Sequence, residues 1–133
     1  MNKTQLLKHF KSEVYCRIAP SYIQGVGVVA IRNIPKNINP FRGSPDNYKL
    51  IPFEKKELSG VRPEVFRMIS DFFASEKDTI LIPEMGLNAL DLSFFMNHSK
   101  NPNVKVGTNE DFYTTREIKK GEELTTDYTT FSD

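Results

Sequence analysis

The sequence predicts a mostly β protein with a short helical insert near its middle. Alternating polar and apolar residues at 13–18 and a β-branched run at 25–31 indicate strands near the start. Similar runs at 112–115 and 123–128 indicate strands near the end. Between them, apolar residues recur every three or four positions after Pro63, which is the period of a helix. The 133 residues suffice for a single domain and are too few for two full cores.

Composition and charge argue against several classes of protein. The 18 Lys and Arg residues nearly balance the 17 Asp and Glu residues, so the basic excess of a typical nucleic-acid binder is missing. No apolar run approaches ~18 residues, and residues 1–10 lack the apolar centre of a signal peptide. The single Cys16 and two histidines argue against a disulfide framework and a structural metal. We therefore expect an intracellular protein, cytoplasmic by default, that contacts neither membrane nor nucleic acid and holds no metal.

The elements of the first third follow from local patterns. Apolar residues at helical spacing behind Thr4 predict a short amphipathic helix with Thr4 as its N-cap. The strand at 13–18 is expected to end at Pro20-Ser21. The glycine-rich turn at 25–27 then leads into the next strand. The turn that follows is predicted to place Asn37 in the left-handed conformation.

The middle of the chain contains the strongest helix prediction. Pro63 suits the first position of a helix, and the apolar residues behind it form one wide face. We expect this helix to close at Lys77-Asp78, and a short strand to follow at 79–83. The segment 84–103 is irregular, with Pro, Gly, Asn and Ser among apolar residues. The apolar face consists of Val65, Phe66, Met68, Ile69, Phe72 and Phe73.

One internal similarity links the two ends of the chain. Residues 32–37 resemble residues 116–121, and each segment follows a β-like run and precedes another apolar stretch. We interpret them as two similar strand-turn-strand units, with coincidence over six residues as an equal alternative. A third copy is missing, which excludes a solenoid.

Three short motifs contain residues that could bind a ligand or take part in catalysis. Gly25-Val26-Gly27 is typical of a tight turn, and it lacks the third glycine and the following helix of a dinucleotide-binding fingerprint. The segment 97–103 is typical of a loop, but the apolar residues before it suggest that its Asn-His start is buried. A buried amide and imidazole need polar partners, so they could contact a polar ligand. The run 121–128, by itself, indicates a final strand with Tyr128 half-buried at its end.

Taken in this order, the motifs resemble those of the SET-domain methyltransferases, which transfer methyl groups from S-adenosylmethionine to protein lysine. The first block of that family is similar to Gly-x-Gly-x-x-Ala at 25–30 and the turn at 34–37. The second is similar to Asn-His-Ser and Pro-Asn within 97–103. The third is similar to Ile-x-x-Gly-Glu-Glu-Leu-x-x-x-Tyr at 118–128. Together the blocks span about residues 14–130, nearly the whole chain of 1–133.

The resemblance implies a fold of several small curved sheets, in which the C-terminal segment passes under a loop and forms a knot-like site. Residues 48–83 correspond to the variable helical insert of the family, and we call them the insert. The implied cofactor is S-adenosylmethionine, and the implied partner is a protein substrate with a target lysine. Tyr128 takes the catalytic role, and the resemblance places the following residues at the cofactor: Gln24, Gly25, Val26, Gly27, Asn97 and His98.

The sequence departs from the family pattern at several positions. Lys100 replaces a cysteine that many members use for zinc. Phe41 stands where the family often has a tyrosine in the lysine channel, and Thr126 stands where it usually has an aromatic residue two positions before the last tyrosine. The predicted channel residues are these two and Val106, which is chosen by its spacing from Asn103. Two alternatives remain: a degenerate SET domain that binds cofactor or peptide without turnover, and an unrelated β-rich adaptor.

Only five residues follow Tyr128, too few to cover a lysine channel by themselves. The insert, the substrate or a second copy of the chain could close it. We slightly prefer a homodimer, since symmetric dimers are the commonest assembly. The aromatic residues expected at its interface are Phe72, Phe73 and Phe131.

Overall fold

The computed structural model describes residues 1–43, 48–73, 75–108 and 111–128, and within these ranges it contains two α-helices, two 3-10 helices and nine strands. The helices are α1 (Lys3–Ser12) and α2 (Pro63–Phe72), and the 3-10 helices span Lys55–Leu58 and Leu92–Phe95. The strands are β1 (Cys16–Pro20), β2 (Val26–Ala30), β3 (Leu50–Glu54), β4 (Ser75–Glu76), β5 (Thr79–Pro83), β6 (Asn97–His98), β7 (Val104–Val106), β8 (Phe112–Thr114) and β9 (Glu123–Thr126).

The strand near the end of the chain lies inside the main sheet. The order of that sheet is β1-β2-β9-β6, so β9 lies between the glycine-rich strand and the short Asn-His strand. It runs antiparallel to β2 and parallel to β6, where Asn97 faces Thr125 and His98 faces Thr126 in register. This order brings all three sequence motifs to one place and agrees with the predicted fold of small sheets.

The two similar segments at 32–37 and 116–121 pair with each other. The Ile34 N–H donates to the Ile118 carbonyl at 2.7 Å, and the Ile118 N–H donates back at 2.9 Å. Both isoleucines are fully buried. Asn37 and Gly121, at equivalent places in the two turns, have positive φ values of 65° and 92°. The predicted left-handed Asn37 is therefore confirmed, and the paired segments form the centre of the main core.

The insert builds a second small core beside the first. Its strands form a separate sheet of order β3-β5-β4, and the core beside this sheet contains Ile69 of α2 and Phe73, which directly follows the helix. The helix begins at Pro63 as predicted, but the expected end at Lys77-Asp78 is wrong. It ends at Phe72 because the backbone of Phe73 is extended, which turns that ring into the core of the insert.

The N-terminal elements differ from the prediction by a few residues. The N-cap of α1 is Asn2 rather than Thr4, because the Asn2 side chain accepts from the Gln5 N–H at 2.8 Å and the Gln5 side chain accepts from the Asn2 N–H. The first strand is Cys16–Pro20 rather than 13–18, a register fixed by its full antiparallel pairing with β2. The apolar side chains of α1 remain exposed: Leu6, Leu7 and Phe10.

Candidate functional site

The side-chain amide of Asn97 is the centre of the polar cluster where the motifs meet. Its Nδ2 atom lies within hydrogen-bond distance of four acceptors: Ser21 Oγ at 3.0 Å, the Gln24 carbonyl at 3.2 Å, the Val26 carbonyl at 3.1 Å and Glu123 Oε2 at 2.8 Å. An amide nitrogen has only two hydrogens to donate. The cluster therefore holds more acceptor capacity than Asn97 can satisfy.

The carboxylate of Glu123 connects two sides of the cluster. Its Oε1 accepts from the Ser21 hydroxyl at 2.7 Å, while its Oε2 accepts from Asn97. Ser21 in turn accepts from the backbone N–H groups of Ile23 and Gln24, which shapes the loop before β2. Across the described ranges, no Lys, Arg or His forms an ion pair with Glu123. The cluster is thus a half-buried negative site whose protein contacts are neutral.

The glycines of the first motif have two different structural roles. Gly25 has a φ of +54°, and its carbonyl accepts from the Ser21 N–H at 2.8 Å, so it shapes the loop. A Cβ on Gly27 would lie 2.6 Å from Glu123 Oε2 and 3.1 Å from Asn97 Nδ2. Gly27 is required because the side chains of the cluster lie directly against its backbone.

The adjacent glutamates of the third motif point to different places. Glu122 accepts from the Lys119 N–H at 2.7 Å and pairs with Arg116 Nη1 at 3.1 Å. The Lys119 N–H is the main cause that holds the pKa of Glu122 below its usual value. Glu122 thus closes the turn before β9, and only Glu123 faces the candidate site.

His98 and Tyr128 form the second half of the site. The Tyr128 backbone N–H donates to His98 Nδ1 at 3.0 Å, and the two rings lie 5.3 Å apart. Because Nδ1 accepts this bond, the geometry assigns the proton of a neutral imidazole to Nε2. Asp127 lies 3.7 Å from the same Nδ1 and would pair with a protonated ring. The imidazole therefore holds the chain in place at Tyr128.

The Tyr128 hydroxyl is the only catalytic candidate that the sequence proposes. It donates to the backbone carbonyl of Met96, directly before Asn97. Its pKa is raised above the usual value, first by burial and then by the nearby carboxylates of Asp71 and Glu123. The phenol is therefore protonated at physiological pH and serves as a neutral hydrogen-bonding group. The residue as a whole is 43% exposed, so a second molecule can reach it.

The side chain of Asn103 holds β9 in place through two hydrogen bonds. Its side chain accepts from the Thr125 N–H at 2.8 Å and donates to the Glu123 carbonyl at 2.9 Å, while only 3% of the residue is exposed. The Ser99 N–H adds a bond to the Thr126 carbonyl at 3.0 Å. The Pro-Asn part of the second motif therefore positions the strand that carries Glu123.

The three predicted channel residues lie at two separate places. Thr126 is 3% exposed, faces His98 across the sheet, and has a buried Oγ1 with no hydrogen-bond partner among the described residues. Phe41 is buried in the main core, edge-on to Phe112 at 5.5 Å, and Val106 faces Phe112 in the β7–β8 ladder. Their assignment to a lysine channel stays a prediction.

Two residues of the cluster, Ser21 and Glu123, were not predicted to be at the site. Glu123 lies within the third motif, but alternation alone does not distinguish it from its neighbour Glu122. Ser21 was interpreted as the end of a strand, and its contact with Glu123 joins positions far apart in the sequence.

The described residues contain neither a metal-ligand cluster nor a helix that could span a membrane. Within the described ranges, no three His, Cys, Asp or Glu side chains gather as a metal site. No helix in these ranges is long and apolar enough to cross a membrane.

Comparisons with known proteins add to this geometry. A profile of the SET domain matches residues 25–129. Solved structures also match, among them a proposed histone methyltransferase from Plasmodium falciparum. It aligns with a TM-score of 0.51 and 22% identity over 86% of this chain and 93% of that chain, a likeness that shows the fold. A search of curated proteins finds no match.

Proposed function

The chain belongs to the SET-domain family, a family of methyltransferases, and on that premise we propose that it methylates the ε-amine of a lysine in a protein substrate with S-adenosylmethionine. The observation that carries the proposal is the cluster around Asn97. Four acceptors, one of them the Glu123 carboxylate, surround a single amide nitrogen beside Gly27.

The charge of this cluster fits the proposed cofactor. S-adenosylmethionine carries an ammonium and a sulfonium besides one carboxylate, so its net charge is positive. The cluster offers a carboxylate and two backbone carbonyls, and no described protein cation pairs with them. An ammonium could donate to the acceptors that Asn97 leaves unsatisfied. Gln24, Val26, Gly27, Asn97 and His98 would surround the cofactor, and Gly25 would shape the loop that carries them.

The reaction requires a neutral lysine amine. With a pKa of about 10.4, a free lysine needs roughly 4.6 kcal/mol to lose its proton at pH 7. When bound, the cofactor supplies a methyl group on a positively charged sulfur for in-line displacement by the amine. An apolar channel disfavours the ammonium and lowers the amine pKa, so a strong general base is not needed. Alignment of the amine then provides much of the acceleration.

Tyr128 is the residue that would orient the amine. Its hydroxyl stays protonated because its pKa is raised, and the His98 contact fixes its backbone. A neutral phenol oxygen can accept a hydrogen bond from the amine while it donates to the Met96 carbonyl. This arrangement would point the lone pair of the amine toward the methyl group.

Two measurements test the proposal and separate its alternatives. Titration calorimetry with S-adenosylmethionine should give saturable binding, whereas an unrelated adaptor would give none. Transfer of label from radioactive cofactor to lysines of added proteins distinguishes an enzyme from a degenerate domain that binds without turnover. Binding without transfer to any protein in a whole-cell extract would contradict the enzymatic proposal.

The homodimer stays a proposal, but its expected interface changes. Phe73 is buried against Phe94, and Phe72 is half-buried against Phe95, so neither ring is the exposed aromatic that was expected. Phe131 lies outside the described residues. The exposed apolar residues of α1 and the loop before β2 are better interface candidates, among them Leu7, Phe10 and Tyr22. Sedimentation at micromolar concentration would decide between dimer and monomer.

A further inference from the structure

The insert carries an open cleft that takes no part in the site described above. The cleft has a volume of about 510 Å³ and lies between the 3-10 helix Lys55–Leu58 and the first turns of α2. Its floor is apolar and consists of Leu58, Val61, Pro63 and Phe66. Two basic side chains, Lys55 and Arg67, also line it. The cleft thus combines an apolar surface with positive charge.

The residues of α2 that line the cleft differ from the residue that contacts the candidate active site. Phe72 packs edge-on against Phe95 at 5.4 Å, and Phe95 directly precedes the Met96 whose carbonyl binds the Tyr128 hydroxyl. Arg67 is five positions before Phe72, which is a rotation of ~140° around a helix of 3.6 residues per turn. Arg67 therefore lies on a different face of α2 from Phe72.

The basic residues of the cleft form no ion pair with a described carboxylate. Neither Lys55 nor Arg67 forms an ion pair within the ranges that the structure describes. Glu54 pairs instead with Lys56 Nζ at 3.2 Å, and Glu57 accepts from the Glu54 N–H at 3.0 Å. Positive charge is therefore available to a partner at this cleft.

We propose that the cleft is a docking site for an acidic segment of the protein substrate that carries an apolar side chain. The apolar side chain would lie on the floor formed by Leu58 and Phe66. Carboxylates on either side would contact the ammonium of Lys55 and the guanidinium of Arg67, which can bind a carboxylate through two parallel hydrogen bonds. The identification of the partner as substrate rests on the proposed function. The cleft would then recognise the substrate at a distance from the target lysine.

A pair of synthetic peptides tests the binding chemistry directly. The probe is a fluorescein-labelled peptide with four glutamates around a central Leu-Phe pair, and its control has glutamine at the four acidic positions. Fluorescence polarisation with the full chain should give saturable binding of the acidic peptide, at least ~10-fold tighter than the control. The difference should shrink as salt is raised, because screening weakens exposed charge pairs. Equal affinities for the two peptides would overturn the proposal.

Adjacent lysines provide a matched pair of variants. Lys55→Glu and Lys56→Glu make the same change in net charge at neighbouring positions, but only Lys55 lines the cleft. Lys55→Glu and Arg67→Glu should each lower the affinity for the acidic peptide by ~10-fold, while Lys56→Glu should change this affinity by less than ~2-fold. Thermal unfolding by circular dichroism checks that each variant is folded. Equal losses in Lys55→Glu and Lys56→Glu, or an oligonucleotide of equal charge that binds as tightly as the peptide, would contradict a peptide cleft.

Calorimetry with S-adenosylmethionine on the same variants separates this inference from the proposed function. We expect unchanged cofactor affinity in Lys55→Glu and Arg67→Glu, because neither residue belongs to the polar cluster around Asn97. Peptide binding without any cofactor binding would contradict the methyltransferase and leave the cleft supported. Cofactor binding without peptide selectivity would contradict the docking cleft and leave the methyltransferase supported.

Discussion

The carboxylate of Glu123 lies against the backbone of Gly27, in the space where any other residue would carry its Cβ. A Cβ built there would be 2.6 Å from Oε2 and 2.9 Å from Cδ of Glu123. This contact links the first and third sequence motifs, and Asn97 of the second motif donates to the same oxygen. Contacts between residues of the three motifs thus hold the candidate site together.

Gly27→Ala should destabilise the protein and disturb the cluster. The added methyl must displace the Glu123 carboxylate, and overpacking of this kind typically costs ~1–3 kcal/mol. Urea unfolding measures the stability, and calorimetry measures the accompanying loss of cofactor affinity. Gly60→Ala is the matched control, because a Cβ at Gly60 meets nothing within 4 Å. Equal unfolding free energies for the two variants would contradict the packing described here.

Glu123→Gln should weaken S-adenosylmethionine binding by ~10-fold or more, because it removes the negative charge while nearly keeping the shape of the side chain. Glu122→Gln makes the same chemical change one position earlier, in a side chain that pairs with Arg116 outside the cluster. We expect its cofactor affinity to stay near that of the wild type. Similar affinities for both variants in calorimetry would remove Glu123 from the cofactor site.

Thr126 should influence how many methyl groups are added. Thr126 and Phe41 stand where the family often has larger or hydroxylated aromatics, so we predict a channel roomy enough for di- or trimethylation. Thr126→Tyr should shift the products toward monomethyl-lysine, because the larger side chain fills space that a methylated amine needs to rotate. Intact-mass time courses measure the product ratio. A wild type that stops at one methyl group, or an unchanged ratio in the variant, would argue against this role.

Cys16 should make stability depend on alkaline pH. Burial raises the pKa of its thiol from 9.0 to about 12. The folded state therefore keeps a proton that the unfolded chain loses, and this contribution is complete below pH 9 and lost as the pH rises toward 12. Urea unfolding of wild type and Cys16→Ala between pH 8 and 11 measures it. The free energy of unfolding should fall by up to about 1.4 kcal/mol per pH unit more steeply in the wild type. Equal slopes of the unfolding free energy against pH in the two proteins would contradict this role of Cys16.

Local patterns in the sequence predicted the elements but not all of their bounds. Pro63 begins α2 as expected, because a proline at the first helical position loses no hydrogen bond. The end of that helix was misplaced, because the core of the insert draws Phe73 out of the helical path. The N-cap was misplaced because Thr4 and Asn2 are both good caps, and the contact with Gln5 selects Asn2.

The candidate site was predicted in outline through motif resemblance, and its internal contacts were not. Spacing gives no reason for Ser21 and Glu123 to meet, since their contact depends on β9 entering the sheet beside β2. The glycine motif predicted a tight turn, and the requirement for glycine at position 27 comes from the side chains of Glu123 and Asn97 that lie against its backbone. Pairing between distant strands is the information that a single sequence lacks.

Methyl transfer by a Tyr128→Phe variant tests the central claim most directly. The account predicts that the wild type transfers label from radioactive S-adenosylmethionine to lysines identified by mass spectrometry. Tyr128→Phe should lower turnover by orders of magnitude with little change in calorimetric cofactor affinity, because only the hydroxyl that orients the amine is lost. Tyr113→Phe, on β8, controls for the loss of a hydroxyl elsewhere and should retain activity. Wild-type turnover in Tyr128→Phe would contradict the assignment of Tyr128 as the catalytic residue.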